Sequence, residues 1–329
     1  MRRQHIVIFI SILVSAALIF FVLRDVPLRE VGNSLRAAHI GWILTSFGLM
    51  FFTLWTRAVR WRGLLDNQIT TWDAFYLLGI TMMLNQLPLR AGEVVRSLFA
   101  TRRGIPFMTA ATSILIERLL DVLFVVVMIA AAITQLPDAQ PDIIRGALLL
   151  GTVGIIGFII LLFFARYPHV ARSIRRHILH FLPFLRHLPL EKWTDQIISG
   201  LQPLTHWRKL GHAIIWTILS WISSMLVLYA LIRALDISTD PLLTTAIGIG
   251  LTSLSIAIPV SVASIGLFEG AIKLTGEVVA MDPVAATALG FLFHGAAVLS
   301  YVASGVIGMI ALGVSFGDIL ERTDIVVDQ

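Results

Sequence analysis

Cysteine is absent from the 329 residues, so no disulfide, thiolate nucleophile or cysteine-bound metal site can be built. Charge is scarce as well: 14% of the residues are Asp, Glu, Lys or Arg, against about 25% in a soluble domain. With 57% hydrophobic residues and a mean hydropathy of +0.88, that shortage excludes an ordinary soluble fold and points to a polytopic membrane protein. Enzymatic signatures are also missing. There is no H-E-x-x-H, no G-x-x-x-x-G-K-[ST] and no C-x-x-C, which leaves zinc-protease, P-loop and thioredoxin-type chemistry without a motif. The expectation is a protein that is not an enzyme, has no catalytic residues and carries neither cofactor nor metal.

What charge there is has a positive surplus, +5 with a pI near 10.1. The arginines flank apolar runs, where anionic headgroups and the positive-inside bias account for them without nucleic acid. Long apolar runs cover 5–23, 38–59, 109–134, 143–165, 212–234 and 283–313. At 1.5 Å per residue each reaches across about 30 Å of hydrocarbon. Two more, 74–101 and 242–282, are interrupted near the middle by Pro88 and Pro259 among small or polar neighbours. A broken helix at membrane depth needs protein or water around it. The fold class expected is therefore all-α: a single transmembrane bundle over 1–329, with six full spans plus two interrupted hydrophobic hairpins read as re-entrant. A kink in an ordinary crossing helix is the simpler account of each proline.

Charge bias sets the expected topology. Arg2 and Arg3 precede the first run, which reads as a retained first span or signal anchor with a cytoplasmic N-terminus in a bacterial-type inner membrane. Arg57, Arg60 and Arg62 then fall on the cytoplasmic side, as does the basic loop 166–211, and Arg102 and Arg103 must join them. The stretch 74–101 consequently enters and leaves by the same face, while the side of the C-terminal tail stays open. Trp42, Trp55, Trp61 and Trp72 near span ends read as interfacial anchors. In 166–211, basic residues alternate with apolar ones, as in a helix lying in the headgroup plane or a loop that only fixes topology.

The few charges inside apolar runs carry the functional information, because a lone ionised side chain there costs about 2.5 to 17 kcal/mol. Ser113, Glu117 and Asp121 recur every four residues on one helix face, with Arg118 beside them. In the first interrupted stretch, Asn85, Pro88, Arg90, Gly92, Glu93 and Arg96 follow one another, and Arg90 or Arg96 can pair with Glu117 or Asp121. A guanidinium left over is suited to a phosphate. In the second, Gly266, Glu269 and Lys273 follow Pro259; Glu269 and Lys273 are at i,i+4 and expected to pair, and a half-helix starting near Gly266 would offer free N–H groups. His294 is expected to be neutral and hydrogen-bonded to a neighbour. These charges serve either helix cohesion or a polar path.

Taken in order, Arg60-Trp61 with Leu64-Leu65, Asn85-x-x-Pro88-x-Arg90-x-Gly92-Glu93-x-x-Arg96, Glu117-Arg118-x-x-Asp121, and Pro259 with Gly266-x-x-Glu269 resemble the flippase-like family named for the transmembrane region of lysylphosphatidylglycerol synthase. The resemblance implies a helical membrane domain that moves a lipid with a modified or glycosylated headgroup between leaflets. It also implies a stand-alone member, since no synthase or glycosyltransferase domain is expected in this length. Ala263-Ser264 and Phe268 depart from the family's usual second motif. The site implied has Asn85, Arg90, Arg96 and Arg118 on a phosphate. Glu93, Glu117, Asp121, Glu269 and Lys273 make a polar core, and Pro88, Gly92, Pro259 and Gly266 make the helix breaks. Its partners would be membrane lipids, anionic or glycosylated. A non-transporting scaffold for envelope biosynthesis and a small-solute secondary transporter are the alternatives.

Overall fold

A computed structural model describes residues 2–87, 92–133, 135, 141–181, 189–257, 261–315 and 317, and among these the regular structure is helical throughout. The helices are α1 (Arg2–Leu23), α2 (Leu28–Ala37), α3 (Ile40–Leu64), α4 (Thr71–Leu84), α5 (Gly92–Thr101), α6 (Phe107–Ile133), α7 (Pro141–Arg166), α8 (Pro168–Phe181), α9 (Leu190–Leu201), α10 (Trp207–Ala234), α11 (Pro241–Ala257), α12 (Leu267–Val278) and α13 (Pro283–Leu312). Three of them, α3, α10 and α13, are long and apolar enough to cross a membrane. The number rises to five if the bent pairs α1–α2 and α7–α8 each form one span. The 27 residues of α6 also have the length of a crossing, about 40 Å at 1.5 Å per residue, but Glu117, Arg118 and Asp121 interrupt their hydropathy.

Both interrupted stretches fold as two short helices packed on each other, α4 against α5 and α11 against α12. Their breaks lie close together: the Ala263 N–H between α11 and α12 donates to the Gln86 carbonyl just after α4, at 3.1 Å. Pro88, Arg90 and Pro259 lie outside the described residues, so their expected roles are not placed. Gly92 opens α5 where a Cβ would collide with the Thr81 carbonyl and Asn85 Oδ1. Its own N–H donates to Asn85 Oδ1 at 3.1 Å, tying the two half-helices across the break.

The second break turns through left-handed backbone at Ala263 (φ 50°), Ser264 (φ 61°) and Gly266 (φ 84°). A Cβ at Gly266 would run into Leu18 of α1, so glycine answers both the dihedral and the contact. Ser15 of α1 accepts the Val262 N–H at 3.0 Å, and α1 thereby closes the outside of this turn. Two helix pairs frame the whole: α3 runs along α10, and α4 along α13. Between α3 and α10, the Thr53 and Ser223 hydroxyls meet at 2.6 Å.

The stretch expected as a basic loop is mostly helical. Here α8 leaves α7 at a bend of 96°, exposing Ile174, Ile178 and Phe181. Arg172 and Arg175 reach Asp195 and Glu191 of α9. An apolar side flanked by arginines is the pattern of a helix in the headgroup plane. α9 packs onto the start of α6, where Gln196 accepts from Met108 N and Thr109 Oγ1.

Candidate functional site

The face of α6 bearing Ser113, Glu117 and Asp121 meets three other helices. From α3, Arg60 extends its guanidinium to both carboxylates: Nη1 and Nη2 donate to Asp121 Oδ1 and Oδ2 at 2.7 and 3.3 Å, and Nε donates to Glu117 Oε1 at 3.3 Å. From α5, Arg96 Nη2 donates to Glu117 Oε2 at 2.8 Å. From α10, Trp221 Nε1 donates to Asp121 Oδ1 at 3.1 Å, and Thr217 accepts from Arg60 at 3.0 Å. Arg60, Arg96 and Glu117 are each 1% exposed, so the charges neutralise one another with almost no help from solvent. A buried ion pair holds its place only when its hydrogen bonds are made as well, and Asp121 and Glu117 have theirs.

One sequence expectation is corrected in this hub and one residue gains a role the sequence reading did not give it. Arg60, expected on the cytoplasmic side, is the hub's central cation. Trp61, read as an interfacial anchor, is 0% exposed; its Nε1 donates to Ser113 Oγ at 2.9 Å, and its ring lies 4.6 Å from the Arg96 guanidinium. Trp42 and Trp72 do remain exposed. Arg96, expected to pair or to hold phosphate, does the first: it is enclosed between Glu117 and Trp61, with Nε and Nη1 lacking an acceptor. Arg118 turns away from Glu117. Its Nε is 3.2 Å from Glu93 Oε1 and its Nη1 3.9 Å from Asp121 Oδ2, and about four-tenths of its side chain is exposed.

At the second break the expected Glu269–Lys273 pair does not form. Glu269, the third residue of α12, turns back so that Oε2 accepts the Gly266 N–H at 2.7 Å, the geometry of a helix cap. Its Oε1 lies 2.7 Å from His294 Nδ1 of α13. The Gly266 N–H, expected to be free for a ligand, is therefore occupied. Lys273 Nζ donates to the Val22 carbonyl of α1 at 3.1 Å. His294 Nε2 is 2.9 Å from the Ala263 carbonyl, and Phe268 stacks on the imidazole with ring centroids 4.7 Å apart. The expectation of a hydrogen-bonded histidine holds; its partners are a carboxylate and a carbonyl.

Between hub and second break lies a cavity of about 500 Å³, within the usual range for small-molecule and cofactor sites. Arg57 of α3, Asn85 after α4, Glu93 of α5, Arg118 and Asp121 of α6, and His294 of α13 supply its charged and polar wall. Met50, Leu54, Val125, Val227, Ile249 and Phe293 supply apolar wall. Neither Arg96 nor Glu269 lines it. Sequence reasoning missed Arg57, Arg60, Thr217 and Trp221. Their signal was present: Thr53, Arg57 and Arg60 repeat at helical spacing on α3, as do Thr217, Trp221 and Ser224 on α10. Among the described residues no cluster of His, Asp or Glu is arranged to hold a metal.

Comparison with known proteins agrees with this architecture. Residues 8–305 match the family described as the lysylphosphatidylglycerol synthase TM region. A curated protein named glycosyltransferase AglD, from Haloferax volcanii, is 23% identical over an alignment covering 87% of this chain and 51% of that protein. The chain thus spans about half the length of this relative. No solved structure matches. The match over most of its length places this helical membrane protein in the lysylphosphatidylglycerol synthase TM region family.

Proposed function

We propose that the cavity receives the polar headgroup of an anionic or glycosylated membrane lipid and passes it between leaflets, the acyl chains staying in the bilayer. The observation that carries this reading is the cavity itself, whose wall combines charged and apolar side chains and is built where two broken helices meet. Charged groups are retained inside a membrane domain chiefly where they line a path or face the bundle interior, and this wall does both. Discontinuous helices meeting at a site are a recurring device of secondary transporters. Family membership supports a lipid-related role. In this reading α1, α3, α6, α7, α10 and α13 are six crossings and the α4–α5 and α11–α12 pairs are re-entrant. The protein is a multi-pass, non-enzymatic component of a bacterial-type inner membrane with its N-terminus in the cytoplasm.

The experiment is leaflet-resolved transport in vesicles containing the purified full chain, with fluorescent phospholipids and glycolipids quenched from outside. Movement above protein-free vesicles supports translocation. The second reading, a membrane scaffold for envelope biosynthesis, draws on the hub, whose balanced buried charges suit cohesion. It wins if no lipid moves while hub substitutions only unfold the protein.

A further inference from the structure

We propose that Arg57 is the ligand-binding cation of the cavity and that its ligand group is a phosphodiester, the singly charged phosphate of a phospholipid headgroup. This rests on the cavity being a headgroup site and adds which residue binds and which charge it takes.

Arg57 lines the cavity from α3, and its buried Nε has no hydrogen-bond partner. The other arginines nearby each form an ion pair, although Arg96 and Arg118 also keep an Nε without a hydrogen-bond partner. Arg60 holds Asp121 and Glu117, Arg96 holds Glu117, and Arg118 sits against Glu93 and Asp121, so three guanidiniums face three carboxylates. Arg57 is within the electrostatic reach of Asp121 but forms no ion pair with it. The Asp121 oxygens are already taken by Arg60 and Trp221. Outside the cavity lining, the Glu269 carboxylate is held by Gly266 N–H and His294. Arg57 is thus the one arginine of the described cavity wall without an ion pair, and its Nε is unpartnered.

A guanidinium fork matches a phosphate in charge and shape. A phosphodiester has one ionised oxygen and matches the single charge of Arg57, whereas a phosphomonoester carries about −1.5 to −2 near neutral pH and exceeds it. The hydroxyl-bearing part of the wall suits a headgroup with hydroxyl or amine donors. Thr252, Ser253 and Ser224 line the cavity with hydroxyls that each donate to a carbonyl one turn back, which leaves their lone pairs as acceptors.

The test uses the purified full chain in detergent and follows its thermal unfolding with phosphatidylglycerol, soluble glycerophosphoglycerol, or a polyprenyl monophosphate. Phosphatidylglycerol is expected to stabilise the wild type. Arg57→Gln should bind it about tenfold or more weakly, about 1.4 kcal/mol per tenfold, and Arg57→Lys should recover part of the loss. Without lipid, Arg57→Gln should melt with the wild type, because no protein group is left unpaired. Equal binding by Arg57→Gln and wild type, no binding by the wild type, or tighter binding of the monophosphate would each overturn the proposal. Arg57-dependent binding of glycerophosphoglycerol alone would support the phosphodiester site and assign it to a soluble ligand. Arg57-dependent binding without lipid movement in vesicles would sink translocation and leave the subsite; movement unaffected by Arg57→Gln would do the reverse.

Discussion

Arg57 and Arg60 stand three residues apart on α3, and their surroundings are opposite. Arg60 is sealed among Asp121, Glu117 and Thr217, while Arg57 faces the cavity with its Nε unpartnered. One turn of helix separates a group that holds helices together from a group available to a ligand. Buried charge in this family member is therefore not one feature with one role. The hub pairs its arginines; the cavity wall leaves Arg57 without an ion pair.

Substitutions should separate the two regions by stability and by lipid handling. The largest effect belongs to the hub. Arg60→Ala leaves Asp121 and part of Glu117 buried without a cation, and thermal or denaturant unfolding in detergent should show a loss of about 3–5 kcal/mol. A loss below the range seen for surface pairs would break the distinction. Next comes Glu269→Ala, which removes both the cap on Gly266 N–H and the partner of His294; about 2 kcal/mol is expected. Glu269→Gln keeps an oxygen for the cap and should cost less than the alanine. If both variants unfold alike, the cap contributes nothing and the contact with His294 carries the site.

Gly92→Ala forces a methyl into the Thr81 carbonyl and Asn85, and a cost of about 1–3 kcal/mol follows from overpacking. Unchanged unfolding would mean that α4 and α5 can separate at no cost. Smallest is Glu93→Gln, whose partner Arg118 is partly exposed. Stability should fall by no more than about 1 kcal/mol, while lipid binding in the cavity changes because Arg118 is released. A large stability loss there would move Glu93 from wall to hub.

Much of this was legible in the chain because helix periodicity is. The shared face of Ser113, Glu117 and Asp121 and the two broken stretches follow from spacing, proline and the cost of buried charge, and the pair of Arg96 with Glu117 is one of those that spacing left open. Partners across helices were less legible. Spacing says which residues share a face and not which helix faces them, so Arg60 was read from its position near a span end and not as the partner of Glu117 and Asp121. Trp61 was read as an interfacial anchor, although its indole is enclosed by Ser113 and Arg96. Glu269 and Lys273 illustrate a local rule overtaken by another. Their i,i+4 spacing favours a pair only inside a helix, and Glu269 sits at the third position, where the unpaired N–H of Gly266 competes for the carboxylate. Arg57 was visible as a charge and invisible as an unpaired one, because packing across helices decides which guanidinium is left without a carboxylate.

The most direct test of the central claim compares Arg57→Gln with the wild type in vesicles containing headgroup-intact, acyl-labelled phosphatidylglycerol, using an impermeant quencher to count outer-leaflet label. Quenching that exceeds the outer-leaflet share with the wild type, and falls to the protein-free level with an Arg57→Gln protein of unchanged unfolding temperature, is the predicted result. Wild-type quenching no greater than in protein-free vesicles, or equal quenching by the two proteins, would contradict it.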